Sequence, residues 1–485
     1  MKNLPRTLTA AALAALAVLA LTFGSPQAVA QSASGPYQPT TESLRQHRVP
    51  QWFEDATFGI FIHWGPYAVP AYHEWYVAFM SPKSGFGQNL GGPPYTATQG
   101  NLPDDVFEAI IRREAFQYQL DNWGPDFAYD DFIPMFTAEK FDPDAWARLF
   151  EDAGARYVVL TAKHGDEFAM WPTKLTPRNA GDMGPRRDLV GDLTKAVRGR
   201  GMKMGLYHNT TYSFWDQRFP GRDWVDYMNA TIKELVDRYQ PGIIWGDVTT
   251  GPVRDRAGKP FGSDYWNGKE VIAYFYNHSR NPAEVLTNDR WGVEPDGTFL
   301  GDYSTPERRN IRSISKEKWE LCDSLDPTSW GYNRRLKDSE YMSPNELVDY
   351  LVDVVSKNGN LLINIGPKAD GTIPEVMRQC LLNVGRWLKV NGEAIYGSTY
   401  WETHKEGIFR FTRQGSTLYA IALEWPGEES VTLRELAGRN VTGASLLGAK
   451  SKLKWRQTED GLTIDLPATP PGRYAYAFKL EGGAE

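Results

Sequence analysis

Cysteine is almost absent from this sequence, since Cys322 and Cys380 are the only two among 485 residues. Two cysteines cannot build the disulfide framework that stabilises small secreted domains, although one bridge between them stays open. Histidine is also scarce, with 7 residues, and no two of them have the spacing of a zinc site. We therefore expect a chain that folds around its own apolar core and uses no metal and no cofactor.

Positive charge is not in excess, because 60 acidic residues outnumber 53 lysines and arginines and leave a net charge of −7 at pH 7. Such a chain lacks the basic surface that nucleic acids and anionic membranes require, and we expect neither as a partner. Aromatic residues, in contrast, make up 13% of the chain and include 17 tryptophans. Their number fits either a surface that stacks on flat ligands or an aromatic core, and composition does not separate the two.

Long apolar runs are missing except near the N-terminus. There, Lys2 and Arg6 precede an apolar run over about 10–23, and Ala28-Val29-Ala30 follows as a small-residue cleavage motif. This order is typical of a secretory signal peptide, and the run is shorter than the ~18 residues that a membrane-spanning helix needs. We expect residues 1–30 to be removed and the mature protein to be secreted or periplasmic.

Short apolar runs alternate with longer amphipathic segments from about residue 57 onward. The apolar runs predict buried strands at 58–62, 157–160, 203–207, 242–245, 285–287 and 360–364. Apolar residues at helical spacing predict helices at 143–153, 223–239 and 344–357. The alternation predicts an α/β fold, with a parallel sheet covered by helices.

Two parallel architectures would explain this alternation. An open doubly wound sheet is one, but no G-x-G-x-x-G follows a strand, so a (β/α)8-like (TIM-type) barrel is favoured. From about residue 397 short β-type runs predict a C-terminal antiparallel β-sandwich. We expect a barrel domain at 31–396 that carries the functional site and a sandwich domain at 397–485. Gly- and Pro-rich insertions at 83–103 and 249–269 are expected to rim the site.

Polar side chains follow the predicted strands at the ends where barrel enzymes gather their functional groups. His63 follows the first strand, His164 the second, Tyr207 the third, Asp247 the fourth and Arg290 the fifth. The sequence has no serine on a nucleophile elbow and no glycine-rich phosphate loop. Carboxylates, histidines and indoles remain, and this set is typical of a glycosidase, in which two carboxyl groups cleave the glycosidic bond.

Five carboxyl groups are candidates for that pair. Asp247 is the candidate nucleophile, because it ends an apolar strand that holds its backbone rigidly, and Glu307 is the candidate acid/base. Asp247 could instead cap the next element, and Glu307 could be a solvated surface residue. Glu74, Asp289 and Asp302 are the further candidates.

Histidines and tryptophans would hold the sugar itself. His63 and His164 are candidates for hydrogen bonds to hydroxyl groups, or else they are core histidines with satisfied partners. Trp75 and Trp245 are candidate platforms for the apolar face of a sugar ring, or else they belong to the core. Residue type and position leave both interpretations open.

A series of ordered motifs runs through residues 40–400. They are Phe58-Gly-Ile-Phe-Ile-His63-Trp-Gly, Glu74-Trp-Tyr, Phe141-Asp-Pro-Asp-Ala-Trp-Ala, Leu160-Thr-Ala-Lys-His164, Phe168-Ala-Met-Trp-Pro, Arg187-Asp-Leu-Val, Gly205-Leu-Tyr207, Ile244-Trp-Gly-Asp247, Asn288-Asp-Arg-Trp, Trp330-Gly-Tyr-Asn, Asn358-Gly-Asn-Leu-Leu-Ile-Asn-Ile-Gly-Pro367 and Asn391-Gly-Glu-Ala-Ile-Tyr. The series resembles the family 29 glycoside hydrolases, the retaining α-L-fucosidases. The resemblance implies an exo-acting hydrolase for terminal α-L-fucosides, with a fucosylated oligosaccharide, glycan or polysaccharide as substrate.

The resemblance also implies a role for each candidate. Asp247 matches the nucleophile of the family's Trp-x-Asp motif, and Glu307 matches the acid/base glutamate, whose position varies between subgroups. The matches to sugar-pocket residues are His63, Glu74, Trp75, His164, Tyr207, Trp245 and Arg290.

One motif departs from the family's pattern. The family usually has Lys-His-His-Asp-Gly-Phe, whereas this chain has Lys163-His164-Gly165-Asp166-Glu167-Phe168. The missing second histidine helps to hold sugar hydroxyls in the family, and such a loss can cost ~1–3 kcal/mol in the transition state. One hypothesis is an α-L-fucosidase in which another side chain refills this corner. A second keeps the mechanism but assigns another α-L-glycoside, such as an L-galactoside. A third is a carbohydrate-binding protein without catalysis, against which the intact Asp247 argues.

Overall fold

The computed structural model of the chain describes residues 35–80, 104–209, 222–247, 263–294 and 296–485. The predicted signal peptide, the insertion at 83–103 and most of the insertion at 249–269 lie outside these residues. Cys322 and Cys380 are both buried free thiols. Within the described ranges, no helix is long and apolar enough to cross a membrane.

Seven parallel strands form the main sheet. They are β1 (Phe58–Ile62), β2 (Tyr157–Lys163), β3 (Lys203–His208), β4 (Ile243–Gly246), β5 (Leu286–Thr287), β6 (Trp319–Ser324) and β7 (Gly359–Ile365). Their order in the sheet is β5-β4-β3-β2-β1-β7-β6. Every residue of β1, β2, β4 and β7 is buried, as expected for a parallel sheet covered by helices on its outer face.

The segment 303–307 connects the two edges of this sheet. Tyr303 forms a parallel bridge with Asn288, directly after β5, while Ser304 and Glu307 form parallel bridges with Trp319 and Cys322 of β6. The segment therefore occupies the place of an eighth strand and closes the sheet into a barrel. This closure confirms the predicted (β/α)8-like fold class.

Helices surround the barrel. They are α1 (Thr41–Leu44), α2 (Gln51–Ala56), α3 (Tyr76–Phe79), α4 (Asp104–Asn122), α5 (Pro143–Asp152), α6 (Leu189–Gly199), α7 (Arg222–Tyr239), α8 (Ser263–Trp266), α9 (Gly268–His278), α10 (Pro344–Val355) and α11 (Glu375–Asn391). Six short 3₁₀ helices lie at Pro66–Ala68, Tyr129–Met135, Pro282–Glu284, Asp338–Glu340, Gly392–Ala394 and Arg434–Leu436. The Ser343 hydroxyl accepts from the Glu346 N–H and the Glu346 carboxylate accepts from the Ser343 N–H, so the capping box starts α10.

Two antiparallel sheets follow the barrel. Their strands are β8 (Thr399–Glu406), β9 (Phe409–Gln414), β10 (Thr417–Ala422), β11 (Ser430–Leu433), β12 (Gly443–Leu446), β13 (Lys454–Thr458), β14 (Gly461–Asp465) and β15 (Tyr476–Glu481). One sheet has the order β12-β15-β10-β9-β8 and the other β11-β14-β13. Both sheets contribute to one apolar core that includes Phe411, Leu418, Leu433 and Leu462, which confirms the predicted β-sandwich.

Candidate active site

The candidate side chains meet at the carboxyl ends of the barrel strands. His63 directly follows β1, His164 follows β2, and Asp247 follows β4. Tyr207 is the second-last residue of β3. Because the strands are parallel, these ends lie on the same face of the barrel, and residues far apart in the chain become neighbours.

Asp247 is held by two donors. The Tyr207 hydroxyl donates to Asp247 Oδ2 over 2.7 Å, and Arg290 Nη1 donates to Oδ1 over 2.9 Å. The Asp247 side chain is 29% exposed, so its carboxylate stays accessible while its orientation is set. This is the arrangement that a carboxylate nucleophile needs.

Glu307 lies against the same cation. Its Oε2 is 2.9 Å from Arg290 Nη1, the nitrogen that also binds Asp247, and its side chain is 24% exposed. The two bound carboxylate oxygens therefore cannot be further apart than twice that distance. Glu307 reaches this point from the segment that closes the barrel.

Arg290 is fixed on every side. Its guanidinium lies 4.6 Å above the centre of the Trp245 ring, and its Nε and Nη2 donate to the hydroxyl and the carbonyl of Thr305 over 3.1 Å each. Burial opposes its charge, but Glu307, Cys322 and Asp247 hold the pKa of Arg290 well above its usual range. A permanent, immobile positive charge therefore lies between the two carboxylates.

Two imidazoles form one wall of the pocket. The rings of His63 and His164 lie 5.6 Å apart, and His164 stacks on Tyr207 at 5.9 Å. Burial and the charge of the neighbouring histidine lower the pKa of His63 to about 3, while burial above all lowers the pKa of His164 to about 4. Both rings are neutral at pH 7, so each carries one N–H donor and one acceptor nitrogen. In His63 the Nδ1 atom faces the Asn364 side-chain oxygen, which leaves Nε2 as an acceptor for a sugar hydroxyl.

Glu74 is completely buried next to this wall. Its Oε2 accepts from the Ser329 hydroxyl at 3.0 Å and from the N–H groups of Trp330 and Gly331 at 2.9 and 3.3 Å. Burial opposes ionisation, but interactions with the imidazoles of His73, His164 and His63 lower the pKa of Glu74 to about 2. The site thus combines an ionised acceptor with neutral imidazoles, as a pocket for hydroxyl groups requires.

The aromatic candidates take different positions. Trp245 is buried and stacks on Tyr207 with ring centres 5.6 Å apart, so it supports the pocket from within the barrel. Trp75 is half-buried and packs edge-on against His73 at 6.1 Å. It is the more accessible of the two indoles.

The motif that differs from the family's pattern, 163–168, contains a buried ion pair. Lys163 Nζ binds Glu167 Oε2, and both side chains are almost inaccessible. Glu167 has a φ of +66°, a left-handed conformation that glycine adopts without cost and other residues rarely adopt. The Glu167 Oε2 atom therefore binds Lys163 and does not replace the family's histidine at position 165.

The remaining carboxyl candidates have structural partners. Asp302 accepts from Tyr276 and from the Thr287 N–H and contacts His47 Nδ1 at 2.7 Å. Asp289 accepts from the Thr305 hydroxyl at 2.7 Å and orients the segment that carries Glu307.

Two residues next to His63 were not among the candidates predicted from the sequence. The Asn364 side-chain oxygen lies 2.8 Å from His63 Nδ1 and also accepts from the His63 N–H. Trp330 lies 5.1 Å from the His63 ring. Both lie in motifs that carry the family resemblance, but Asn364 is in a buried strand and Trp330 is in a loop. Neither position by itself indicates a chemical role. In the part of the chain that the structure describes, no cluster of His, Cys, Asp and Glu could hold a metal ion.

Comparisons with known proteins identify related chains. The family model for α-L-fucosidase matches residues 25–393, and the model for the α-L-fucosidase C-terminal domain matches residues 402–481. The tissue α-L-fucosidase of Homo sapiens is 36% identical over 490 residues, which cover 96% of this chain and 97% of the relative. The tissue α-L-fucosidase of Rattus norvegicus is also 36% identical, with 92% of each chain covered.

Solved structures show the same similarity. The Thermotoga maritima α-fucosidase in complex with a mechanism-based inhibitor superposes with a TM-score of 0.74 at 34% identity, covering 92% of this chain and 100% of that one. The α-L-fucosidase isoenzyme 1 of Paenibacillus thiaminolyticus superposes with a TM-score of 0.70 at 27% identity, covering 91% of this chain and 99% of that one.

Proposed function

Because this chain belongs to the α-L-fucosidase family of glycoside hydrolases, we propose that it removes terminal α-L-fucose from fucosylated glycans with retention at the anomeric carbon. In this proposal Asp247 is the nucleophile and Glu307 is the general acid and base. The pocket for the sugar comprises His63, Glu74, Trp75, His164, Tyr207, Trp245 and Arg290.

The observation that carries the proposal is the bridge through Arg290. Asp247 and Glu307 each bind Nη1 at 2.9 Å, which limits the separation of their bound oxygens to less than six ångströms. Retaining glycosidases hold their two carboxyl groups about 5–5.5 Å apart, whereas inverting enzymes need about 6.5–9.5 Å to admit a water molecule. The geometry supports a double displacement.

The reaction proceeds in two steps. Asp247 forms a bond to the anomeric carbon while the glycosidic C–O bond breaks, and Glu307 gives its proton to the departing oxygen. Water then attacks the anomeric carbon, its proton passes to Glu307, and the bond to Asp247 breaks. Tyr207 and Arg290 orient the Asp247 carboxylate before attack, which lowers the entropic cost of reaching the transition state.

We further propose that the domain at 31–396 carries the reaction and that the domain at 397–485 stabilises it. The protein would act outside the cytoplasm after removal of residues 1–30, because the N-terminal sequence has the order of a signal peptide. Glycans on exported polymers would then be accessible to it.

The test uses an aryl α-L-fucoside and the mature protein. Proton NMR of the first product is expected to show the α-anomer before mutarotation. Asp247→Gly is expected to lose hydrolysis by about 10⁴-fold or more, and added azide should then yield the β-fucosyl azide. The exposed Asp460→Gly, in the turn between β13 and β14, is the matched control and should retain full activity. A β-anomer as first product would contradict retention.

A second candidate substrate is an α-L-galactoside, for which the glycine at position 165 is the favouring observation. L-Galactose shares the ring configuration of L-fucose and adds a hydroxyl at C6. It therefore needs the same two carboxylates but a pocket of different shape. Aryl α-L-galactoside and other α-L-glycosides are therefore assayed beside the fucoside. A higher kcat/KM for one of these would assign the sugar without changing the mechanism.

A further inference from the structure

A carboxyl group inside the barrel takes no part in the proposed reaction. Glu320 lies on β6 and is completely buried. Its Oε2 accepts from the Tyr157 hydroxyl at 2.6 Å, and its Oε1 accepts from Trp245 Nε1 at 2.9 Å. Burying a carboxyl group is unfavourable unless its partners compensate for the lost hydration, so the presence of Glu320 beneath the pocket needs a reason.

The contacts of Trp245 lead from this carboxyl to the reacting groups. Its indole stacks on Tyr207 at an interplanar angle of 27° and lies beneath the Arg290 guanidinium. Tyr207 and Arg290 are the two donors that hold Asp247. A rotation of this indole would therefore displace both donors at once.

We propose that Glu320 is a positioning residue, which holds the Trp245 indole and through it orients Tyr207 and Arg290 toward Asp247. The inference rests on the proposed role of Asp247 and adds a residue that does not touch the substrate. A hydrogen bond to a carboxylate is stronger and more directional than one to a neutral acceptor, which suits a group that must fix a ring. Residues that support the reacting groups from behind in this way hold them within a fraction of an ångström of the productive geometry.

The groups around Glu320 act on its ionisation in opposite directions. Burial raises the pKa of Glu320 to about 7, whereas the hydrogen bonds from Tyr157 and Trp245 and the charge of Arg290 favour the ionised form. Asp289 acts in the same direction as burial. An apolar side chain could be buried at this position at a lower energetic cost than a carboxyl group. It could not, however, accept the hydrogen bonds from Tyr157 and Trp245.

The experiment compares one variant that neutralises the Glu320 carboxyl group with one that removes its hydrogen bond from Tyr157. Glu320→Gln replaces the charged acceptor of the Trp245 N–H, and Tyr157→Phe removes the donor on the side away from Asp247. Misplacement of catalytic groups can reduce the rate by about 100-fold. We expect Glu320→Gln to lower kcat at least tenfold with KM changed less than threefold, and Tyr157→Phe to keep kcat within twofold. Tm is measured for both.

A merely structural carboxyl would give another result. Equal losses of kcat in the two variants, or an unchanged kcat in Glu320→Gln, would overturn the proposal. If Glu320→Gln does not fold, Glu320→Asp takes its place, because it keeps the carboxylate but shortens its reach to Trp245 Nε1, and its kcat must fall in the same way.

Failure of the proposed function would look different. In that case Asp247→Gly retains hydrolysis, whatever Glu320→Gln does. If Asp247→Gly is inactive and Glu320→Gln is fully active, only the positioning role is wrong.

Discussion

At Arg290 one nitrogen, Nη1, contacts Asp247 and Glu307 at 2.9 Å each, and the guanidinium plane rests on Trp245. A lysine could neutralise the same charges, but it lacks the planar group that stacks on an indole and the further N–H groups that bind Thr305. The geometry of the two carboxylates therefore depends on the shape of this side chain as well as on its charge.

Arg290→Lys tests this dependence. We expect kcat/KM to fall by about 100-fold, close to 2.7 kcal/mol, because preorganised contacts in a buried site are lost while the charge remains. Steady-state kinetics on the aryl fucoside measure the effect. Arg378→Lys, in an exposed pair on α11, is the matched control and should change neither kcat nor KM. An active Arg290→Lys enzyme would show that charge alone suffices.

The neutral imidazoles affect stability at acidic pH. The pKa of His164 is lowered to about 4 in the folded protein, against about 6.5 in an unfolded chain. Between these values the unfolded state binds a proton that the folded state rejects, so this residue reduces stability as the pH falls from 6.5 toward 4 and has no such effect above 6.5. His164→Asn should therefore show a shallower loss of Tm between pH 6.5 and 4.5 than the wild type. Identical slopes in a pH series of thermal unfolding curves would contradict the shift.

The turn after β2 depends on an ion pair that spans it. Lys163 ends the strand, Glu167 closes the turn, and the two side chains meet in a buried environment between β2 and α7. Met228 Sδ is 3.2 Å from the Lys163 ammonium, and the Tyr227 ring lies 5.3 Å from it. Where the family's motif has a glycine, this chain thus has a glutamate whose side chain makes a specific contact next to His164.

Glu167→Gln should destabilise the protein by about 3–5 kcal/mol, because it leaves a buried ammonium without its counterion. The double variant Lys163→Met with Glu167→Gln should recover most of that loss, since no unpaired charge remains. Denaturant unfolding of the two single variants and the double variant measures the coupling. Additive losses would mean that the pair contributes nothing beyond its separate side chains.

Sequence patterns predicted some elements better than others for physical reasons. β1, β2, β3, β4 and β7 are apolar runs and were predicted within three residues of their ends. β6 was missed because Glu320 and Asp323 interrupt its apolar pattern, although all six of its residues are buried. At the edges of the two sandwich sheets, β12 has one buried residue of four and β13 has none of five, so neither contains an apolar run. Periodicity reports burial against apolar surroundings, and it fails where a strand faces polar groups or solvent.

Specific contacts join the barrel and the sandwich. Trp387 of α11 is buried and donates from Nε1 to the Ala475 carbonyl at 2.7 Å. Arg410 of β9 binds Asp353 of α10 at 2.5 Å, and Gln414 donates to the Tyr396 carbonyl at 2.6 Å. The sandwich therefore packs against helices α10 and α11 of the barrel's outer layer.

Trp387→Ala tests the energetic importance of this interface. We expect a loss of about 3–5 kcal/mol in the free energy of unfolding, because a large buried side chain and its hydrogen bond are removed. KM and kcat at 25 °C should stay at wild-type values, since the residue lies on an outer helix. Calorimetry and kinetics on one sample separate the two effects, and a changed KM would connect the interface to the pocket.

Local runs and ordered motifs specify the family, the alternation that leads to a barrel, and the residues that follow the first strands. Three features depend instead on the folded chain: Arg290 bridges Asp247 and Glu307, Asn364 holds His63, and segment 303–307 closes the barrel. Such contacts join residues that are far apart in the chain. Their distances depend on how strands are registered around the barrel, and no local pattern carries that information.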